Sequence, residues 1–200
     1  PIVGFDLAGE EAGYPAIHHK AAFQLAHSNF LRKTVHAGEA YGPESIFQAI
    51  AECHANRIGH GTFLFSEGAI KHKSIKDKKR YIAQLTEYMT NQRIIIEVCP
   101  TSNLQTIPEL DTLQNHPIQQ MIDHGLSVSV STDNRLVSHT SVTKELKLCA
   151  DHLTLTHSQF RDLALAGFKR SFFPGPYAEK RAYVRRAINL YDDLAKLHLG

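Results

Sequence analysis

The stretch IIIEVCPTSN, residues 94–103, joins an apolar run to a polar turn. Its three isoleucines and Val98 make the run apolar enough for a strand buried on both faces, which is typical of a parallel sheet covered by helices. The residues after Cys99 are polar or proline, so the run finishes in groups that can do chemistry. Residues 94–103 therefore predict a buried parallel strand with a polar cluster at its carboxyl end.

Four other short runs of β-type residues lie on either side of this strand. Helix-length amphipathic stretches separate them, and this alternation is the signature of βα units with a parallel sheet. Each run ends in a polar or glycine-rich cluster, and chemistry in parallel α/β folds sits at the carboxyl ends of strands. The five predicted strands are Ile2–Leu7, Lys33–His36, Arg57–His60, Ile94–Cys99 and Leu126–Thr132.

Helix start and stop signals occupy the gaps between the strands. One helix is predicted to open at Pro43, since proline suits the first helical turn, with Ile46, Phe47 and Ile50 on one face. Others are predicted over about 78–90, from His116-Pro117 to a left-handed cap at Gly125, from Thr156, and over about 177–197. The last helices follow the final strand directly, and no repeat or linker interrupts the chain. We therefore predict a single domain spanning residues 1–200.

Composition and charge exclude several classes of protein. With 42% hydrophobic residues, 21% charged residues and no apolar run near 18 residues, the chain is predicted to be globular, neither disordered nor membrane-bound. A net charge of +2 is too small for duplex nucleic-acid binding. Cys53, Cys99 and Cys149 are odd in number and lack metal-type spacing, so a disulfide framework is not expected and the cytoplasm is the predicted compartment.

Three polar residues at predicted strand ends are candidate metal ligands or catalytic groups: His36, His60 and Asp133. A catalytic zinc needs about three protein ligands of this type and an open position for water. Glu39 follows His36 past a flexible glycine and can turn back over the same pocket as an acid, because a desolvated carboxyl holds its proton more tightly. The alternatives are that each histidine is a hydrogen-bonded structural residue, and that Glu39 helps to cap the helix near Pro43.

Five strand-end motifs follow one another along the chain: Asp6–Glu10, His36–Glu39, Arg57–Gly61, Glu97–Asn103 and Ser131–Asn134. In this order they resemble the signatures of the adenosine deaminase family. The match spans most of the chain, and it implies an α/β fold of the (β/α)8 TIM-barrel, metal-dependent hydrolase type. The chain resembles the later part of that barrel, from the fourth to the eighth strand with the C-terminal helices.

The resemblance implies a zinc site at the strand ends. His36 and Asp133 would be ligands, and Asp133 would also help to deprotonate the attacking water. His60 would not be a ligand and would instead orient the hydroxide and stabilise charge on the tetrahedral centre. Zinc would contribute by lowering the pKa of water to ~7, so that a nucleophile is available at neutral pH.

The resemblance also implies how a purine nucleoside is held. Glu39 would protonate purine nitrogen 1, and Gly9 would present its backbone to nitrogen 3, which needs the close approach that a glycine permits. Asn134 stands where many members have a second acid that contacts nitrogen 7, and its amide can donate a hydrogen bond there. The implied reaction is the hydrolytic deamination of adenosine or 2'-deoxyadenosine to the inosine product and ammonia, a step of purine salvage.

The family's remaining zinc ligands, a His-x-His motif on its first strand, have no counterpart in this sequence. The adjacent pair His18-His19 falls where a helix is expected and is not a substitute. We therefore expect the N-terminal half of the barrel to lie in the same or another chain. Residues 1–200 alone are expected to bind zinc weakly and to turn over no substrate.

Other functions stay open at this point. Relatives that act on adenine, methylthioadenosine or AMP share the zinc chemistry, and a non-catalytic fragment or binding module that lacks the N-terminal zinc ligands is a further alternative. A zinc deaminase class with His-x-Glu and Pro-Cys-x-x-Cys is excluded, because Cys99-Pro100 has the reverse order and no second cysteine follows at the required spacing. Free adenosine is the first choice of substrate.

Overall fold

The structure, a computed structural model, describes residues 2–199. Within that range five parallel strands form one sheet, in which each strand pairs with the next along the chain. The strands are β1 (Gly4–Leu7), β2 (Arg32–Ala37), β3 (Arg57–His60), β4 (Ile95–Val98) and β5 (Ser127–Val130). All five predicted strands are confirmed, with ends that differ from the predicted ones by at most two residues.

Helices follow every strand and form the outer layer. None of the described helices is both long and apolar enough to cross a lipid bilayer. The helices are α1 (Lys20–Ser28), α2 (Pro43–Ala51), α3 (Lys78–Gln92), α4 (Pro100–Thr106), α5 (Ile118–Asp123), α6 (Val142–His152), α7 (His157–Lys169) and α8 (Tyr177–Leu199).

Helices begin and end at the residues whose start and stop signals predict it. Pro43 occupies the first turn of α2, and α7 begins with a complete capping box between Thr156 and Gln159. Gly125 ends the turn after α5 with a φ of +71°, which a glycine adopts without strain. His18 and His19 belong to a short 3-10 turn, Ala16–His19, that leads into α1.

The predicted inner face of α2 is right at two positions and wrong at a third. Ile46 and Ile50 are buried, whereas Phe47 is 45% exposed. Ala49 takes the inner position instead. Residues at i, i+3 and i+4 share one face of a helix, so the pattern 46, 49 and 50 points inward and residue 47 does not.

The strand order indicates a barrel. In a doubly wound sheet the order reverses part-way, whereas β1 to β5 follow one another without reversal. The helices bury one face of the central strands, where Val35, Ile58 and Ile96 lie side by side and are fully enclosed. Cys53, Cys99 and Cys149 are buried in this packing as free thiols.

Glu97 is the one charged residue within the apolar strand β4. Its carboxylate forms an ion pair with Arg57 of β3 and accepts a 2.8 Å hydrogen bond from the Thr34 hydroxyl of β2. The charge is therefore satisfied within the sheet, as a buried charge must be. This set ties the three central strands together below the carboxyl ends that carry the candidate site.

Candidate active site

The carboxyl ends of β2, β3 and the segment after β5 bring together His36, His60 and Asp133. Each offers one metal-ligating atom, and the three atoms lie within 4.8 Å of one another. The rings of the two histidines stand perpendicular, with an interplanar angle of 89° and centroids 4.5 Å apart. We call these three residues the strand-end cluster. The convergence expected from their positions at strand ends is present in the fold.

Local backbone geometry aims the strand-end cluster. His60 and Asp133 have φ values of +66° and +52°, in the left-handed region that side chains other than glycine adopt at a cost of about 1–3 kcal/mol. Gly59 leaves room for the His36 ring, because a Cβ at residue 59 would lie 2.7 Å from Cδ2 of His36. Packing in the sheet therefore overrides local backbone preference at the point where the three side chains meet.

The donor set of the strand-end cluster fits a zinc-type ion. Imidazole nitrogen and carboxylate oxygen are the ligands that zinc takes at catalytic sites. Nδ1 of His36 is buried and has no hydrogen-bond partner among the described residues. The Asp133 carboxylate accepts one hydrogen bond, at Oδ2 from the Ser102 hydroxyl over 2.8 Å. His36 and Asp133 therefore have the capacity to hold such an ion.

Glu39 faces the same space from the loop after β2. Its Oε2 lies 3.5 Å from Nε2 of the buried His60, and its Oε1 lies 3.3 Å from the Thr106 hydroxyl. Burial raises the pKa of Glu39, as the sequence predicts for a desolvated acid. Burial, with His36 alongside, lowers the pKa of His60 to about 4. Glu39 thus has an increased tendency to hold a proton beside a neutral imidazole.

The alternative role of Glu39 as a helix cap does not match the described contacts. The cap residue of α2 is Gly42, without a side-chain hydrogen bond to the first turn. The Glu39 side chain instead points toward His60 and Thr106. Its position supports a role in the candidate site.

Glu11, which the sequence analysis did not single out, holds the loop that carries Glu39. It is buried, and its carboxylate accepts backbone hydrogen bonds of 2.7–3.3 Å from four consecutive residues, Gly38 to Tyr41. The Ser45 hydroxyl at the start of α2 also donates to it. A carboxylate that accepts this many donors fixes the loop as a unit, because each bond to a charged acceptor is stronger than a neutral one.

Helix α4 supports three members of the site at once. Its Ser102 donates to Asp133, its buried Asn103 lies 3.0 Å from Nδ1 of His60, and its Thr106 hydroxyl approaches Glu39. The motif Glu97–Asn103 contains two of these residues, but their partners are set only by the fold. The polar cluster after β4 was the available sequence signal.

Gly9 and Asn134 occupy loops at the same end of the sheet, after β1 and β5. Gly9 has a φ of +117° and its missing Cβ faces open space. The Asn134 side chain accepts a 3.2 Å hydrogen bond from the backbone of Val137 through Oδ1, which leaves its amide nitrogen as the donor end. Their assigned contacts with a purine stay predictions.

Comparison with known proteins identifies the family. A family model for adenosine deaminase matches residues 1–188. The chain belongs to the adenosine deaminase family. Adenosine deaminase 1 of Streptomyces coelicolor is 35% identical over 187 residues, which are 94% of this chain and 46% of that protein. The chain thus spans about half the length of the curated adenosine deaminases that it matches.

Solved structures establish the fold of this adenosine deaminase family chain. An adenine deaminase from Arthrobacter aurescens superposes with a TM-score of 0.77 at 24% identity, over 96% of this chain and 53% of that one. An amidohydrolase from Burkhoderia ambifaria with bound Zn gives a TM-score of 0.75 at 19% identity, over 96% and 50%. The predicted TIM-barrel fold class is confirmed, with five consecutive βα units described here.

Proposed function

We propose that this chain carries the catalytic side chains of a zinc-dependent hydrolase that deaminates adenosine and 2'-deoxyadenosine, releasing ammonia. The observation that carries the proposal is the meeting of His36, His60 and Asp133 within 4.8 Å beside Glu39, whose pKa is raised by burial. Family membership supports the same chemistry. We place the enzyme in purine metabolism in the cytoplasm.

His36 and Asp133 are the residues of this chain that would hold the metal. They supply one nitrogen and one oxygen ligand, and the unpartnered ring nitrogen of His36 fits that role. When bound, zinc lowers the pKa of water to ~7 and so provides a nucleophile at neutral pH. Binding of Zn in the Burkhoderia ambifaria neighbour supports the choice of metal.

Glu39 supplies the proton that activates the purine. In its acid form it donates to ring nitrogen 1, which makes carbon 6 electrophilic. The oxygen of water then bonds to carbon 6 while Asp133 accepts a proton from that water. That proton passes to the exocyclic nitrogen, whose bond to carbon 6 then breaks. The proton left on the carbon 6 oxygen returns to Glu39, so one water is consumed and one ammonia leaves. His60 stabilises the negative charge that develops on the attacking oxygen.

Gly9 and Asn134 would position the purine, through the backbone to nitrogen 3 and the side-chain amide to nitrogen 7. These contacts address the base, so they suit adenosine and free adenine alike. Adenine is the second candidate substrate, because the Arthrobacter aurescens structure is that of an adenine deaminase.

We infer that the working enzyme is an eight-stranded barrel, of which this chain forms one domain-sized part. In the described sheet β1 and β5 each pair with only one neighbour, and open edges of this kind are normally paired or covered. The coverage of about half of each relative supports the inference. The other strands and zinc ligands come from the same or another polypeptide, and we call the whole assembly the complete-barrel enzyme.

The test is deamination by the complete-barrel enzyme loaded with zinc. Ammonia release is measured with adenosine, 2'-deoxyadenosine, adenine, methylthioadenosine and AMP, with the ultraviolet change of adenosine to inosine as a second readout. We expect the highest kcat/KM with the two nucleosides. Release of no ammonia from any of these purines, despite bound zinc, would overturn the proposal in favour of a binding module.

Glu39→Gln is the matched test of the acid. The amide keeps the shape of the side chain and cannot deliver the proton, so we expect kcat to fall by ~10²–10⁴-fold with purine binding retained. Glu87→Gln on the exposed face of α3 is the control for loss of a carboxylate and should keep the wild-type rate. A wild-type rate in Glu39→Gln would show that the proton comes from another group.

A further inference from the structure

Three hydrogen bonds connect the backbone of α5 to the ring of His60. The amide nitrogen of Ile118 lies 3.0 Å from Nδ1 of His116. Nε2 of His116 lies 3.2 Å from Oδ1 of Asn103, and Nδ2 of Asn103 lies 3.0 Å from Nδ1 of His60. All three side chains are at most 2% exposed, so solvent does not compete for these bonds.

The direction of every bond follows from the first one. A backbone N–H only donates, so Nδ1 of His116 must accept and cannot carry a proton. A neutral His116 then carries its proton on Nε2 and donates it to Oδ1 of Asn103. The amide group of Asn103 is thereby oriented with its NH2 end toward His60, which donates to Nδ1 of that ring.

His116 is neutral for a physical reason. Burial, with His60 as the next contribution, lowers its pKa to about 4. A second proton on His116 would also have to sit on Nδ1, opposite the N–H of Ile118. The position of the Ile118 N–H at the start of α5 therefore determines which group donates and which accepts in all three hydrogen bonds.

We propose that His116 and Asn103 are positioning residues that hold His60 in the tautomer with its proton on Nε2. The inference rests on the proposed deaminase function for its catalytic consequence, but the proton placement stands on the contacts alone. With Nδ1 occupied by Asn103, Nε2–H is the end of the ring that faces Glu39.

The fixed tautomer makes His60 a hydrogen-bond donor and not a metal ligand. Nε2 with a proton has no lone pair to offer a metal, so His60 is a donor beside the ion and His36 with Asp133 are the ligands in this chain. A donor prepared before the substrate arrives stabilises charge as it develops on the attacking oxygen, without reorganisation during the reaction. The distances within the strand-end cluster do not distinguish His60 from the two ligands. The hydrogen bonds from Ile118 through His116 and Asn103 do, because they fix the position of its proton.

Asn103→Asp tests the polarity without changing the size of the side chain. A carboxylate only accepts, so it removes the donor to Nδ1 of His60 and favours a proton at that nitrogen. Asn103→Ser is the control, because it brings no carboxylate to Nδ1 of His60 and leaves room for a water that can donate to this nitrogen, although the side chain fills the space less well. If Asn103 only fills space, kcat should fall more in Asn103→Ser. If Asn103 sets the tautomer of His60, kcat should fall more in Asn103→Asp.

The readout is the nitrogen NMR spectrum of the histidine rings in the zinc-loaded complete-barrel enzyme, recorded without substrate. Protonated and bare ring nitrogens give well-separated signals, and a His60→Gln spectrum assigns those of His60. We expect a bare Nδ1 and a protonated Nε2 in the wild type and in Asn103→Ser. In Asn103→Asp we expect a protonated Nδ1.

Kinetics of the same variants give the second readout. We expect Asn103→Asp to lose ~10²-fold or more in kcat with KM within a few-fold of wild type, since a histidine in the wrong tautomer costs on the order of 10²–10⁴-fold. A wild-type spectrum with the proton on Nδ1, or an Asn103→Asp spectrum with Nδ1 still bare, overturns the inference. If the spectra agree but no purine is deaminated, the proton placement stands and the proposed function fails.

Discussion

The hydroxyl of Ser102 donates a 2.8 Å hydrogen bond to Oδ2 of Asp133, which connects α4 to the segment after β5. Asp133 is exposed and has a φ of +52°, so its side chain has little packing to hold it in place. The hydroxyl therefore orients the carboxylate and leaves the other oxygen for a metal. Partners of this kind are worth about 10–100-fold in metal affinity.

Ser102→Ala removes this orienting bond. We expect zinc affinity to fall by ~10-fold to 100-fold, because Asp133 then samples directions away from His36. The measurement is competition for zinc against a chelator of known affinity. Thr101→Ala is the matched control, since it removes a neighbouring hydroxyl that does not contact Asp133, and its zinc affinity should stay at the wild-type value. Equal affinities in the two variants would exclude an orienting role for Ser102.

His36→Ala and His60→Ala separate a ligand from a donor. His36→Ala should lose bound zinc, because it removes a ligand nitrogen from the strand-end cluster. His60→Ala should retain stoichiometric zinc and lose ~10²–10⁴-fold in kcat, the usual effect of removing one proton donor or acceptor. Metal content by elemental analysis and steady-state rates on the same samples decide the question. Retained zinc in His36→Ala would make the ligand assignment wrong.

Glu11→Gln weakens the carboxylate that holds residues 38–41. The amide turns two donors toward backbone groups that are themselves donors, so we expect the free energy of unfolding to fall by ~1–3 kcal/mol. The rate should fall as well, because Glu39 lies on the released loop. Urea denaturation and kcat/KM at full zinc loading are the measurements. Glu10→Gln, at an exposed neighbouring position, should stay within about 0.5 kcal/mol of wild type.

The strands and the strand-end cluster were predictable because both depend on short-range pattern. Short β-type runs separated by helix-length stretches predict parallel strands, and side chains at or just after the carboxyl end of such a run lie at one edge of the sheet. His36, His60 and Asp133 follow from that rule without any knowledge of packing. Helix faces are harder to predict than strand ends, as the exposed Phe47 shows. Successive residues in a helix are about 100° apart, so an error of one residue turns a side chain from the core to solvent.

The supporting residues were not predictable from local pattern. Glu11 binds backbone amides 27–30 positions away, and such partners have no side-chain signature in the sequence. His116 reads only as the start of a short helix, yet it is buried against Asn103, which lies thirteen positions earlier. Contacts of this kind arise from how α4 and α5 fold over the sheet, which hydrophobic periodicity does not encode.

Gly9→Ala tests whether the loop after β1 contacts the purine. An alanine at a φ of +117° is strained by about 1–3 kcal/mol, whereas its Cβ would meet no heavy atom within 4 Å. The loop is therefore expected to relax to a negative φ, without a clash, and to move the backbone of residue 9 away from the base.

We expect Gly9→Ala to raise KM for adenosine by ~10-fold, which corresponds to about 1.4 kcal/mol of lost binding, with zinc affinity unchanged. Steady-state kinetics and zinc competition on the complete-barrel enzyme measure the two effects. Gly68→Ala is the control, because its Cβ also faces open space and its φ is not in the left-handed region. If both variants keep the wild-type KM, the backbone of residue 9 does not contact the substrate, since strain at that position would otherwise have displaced it.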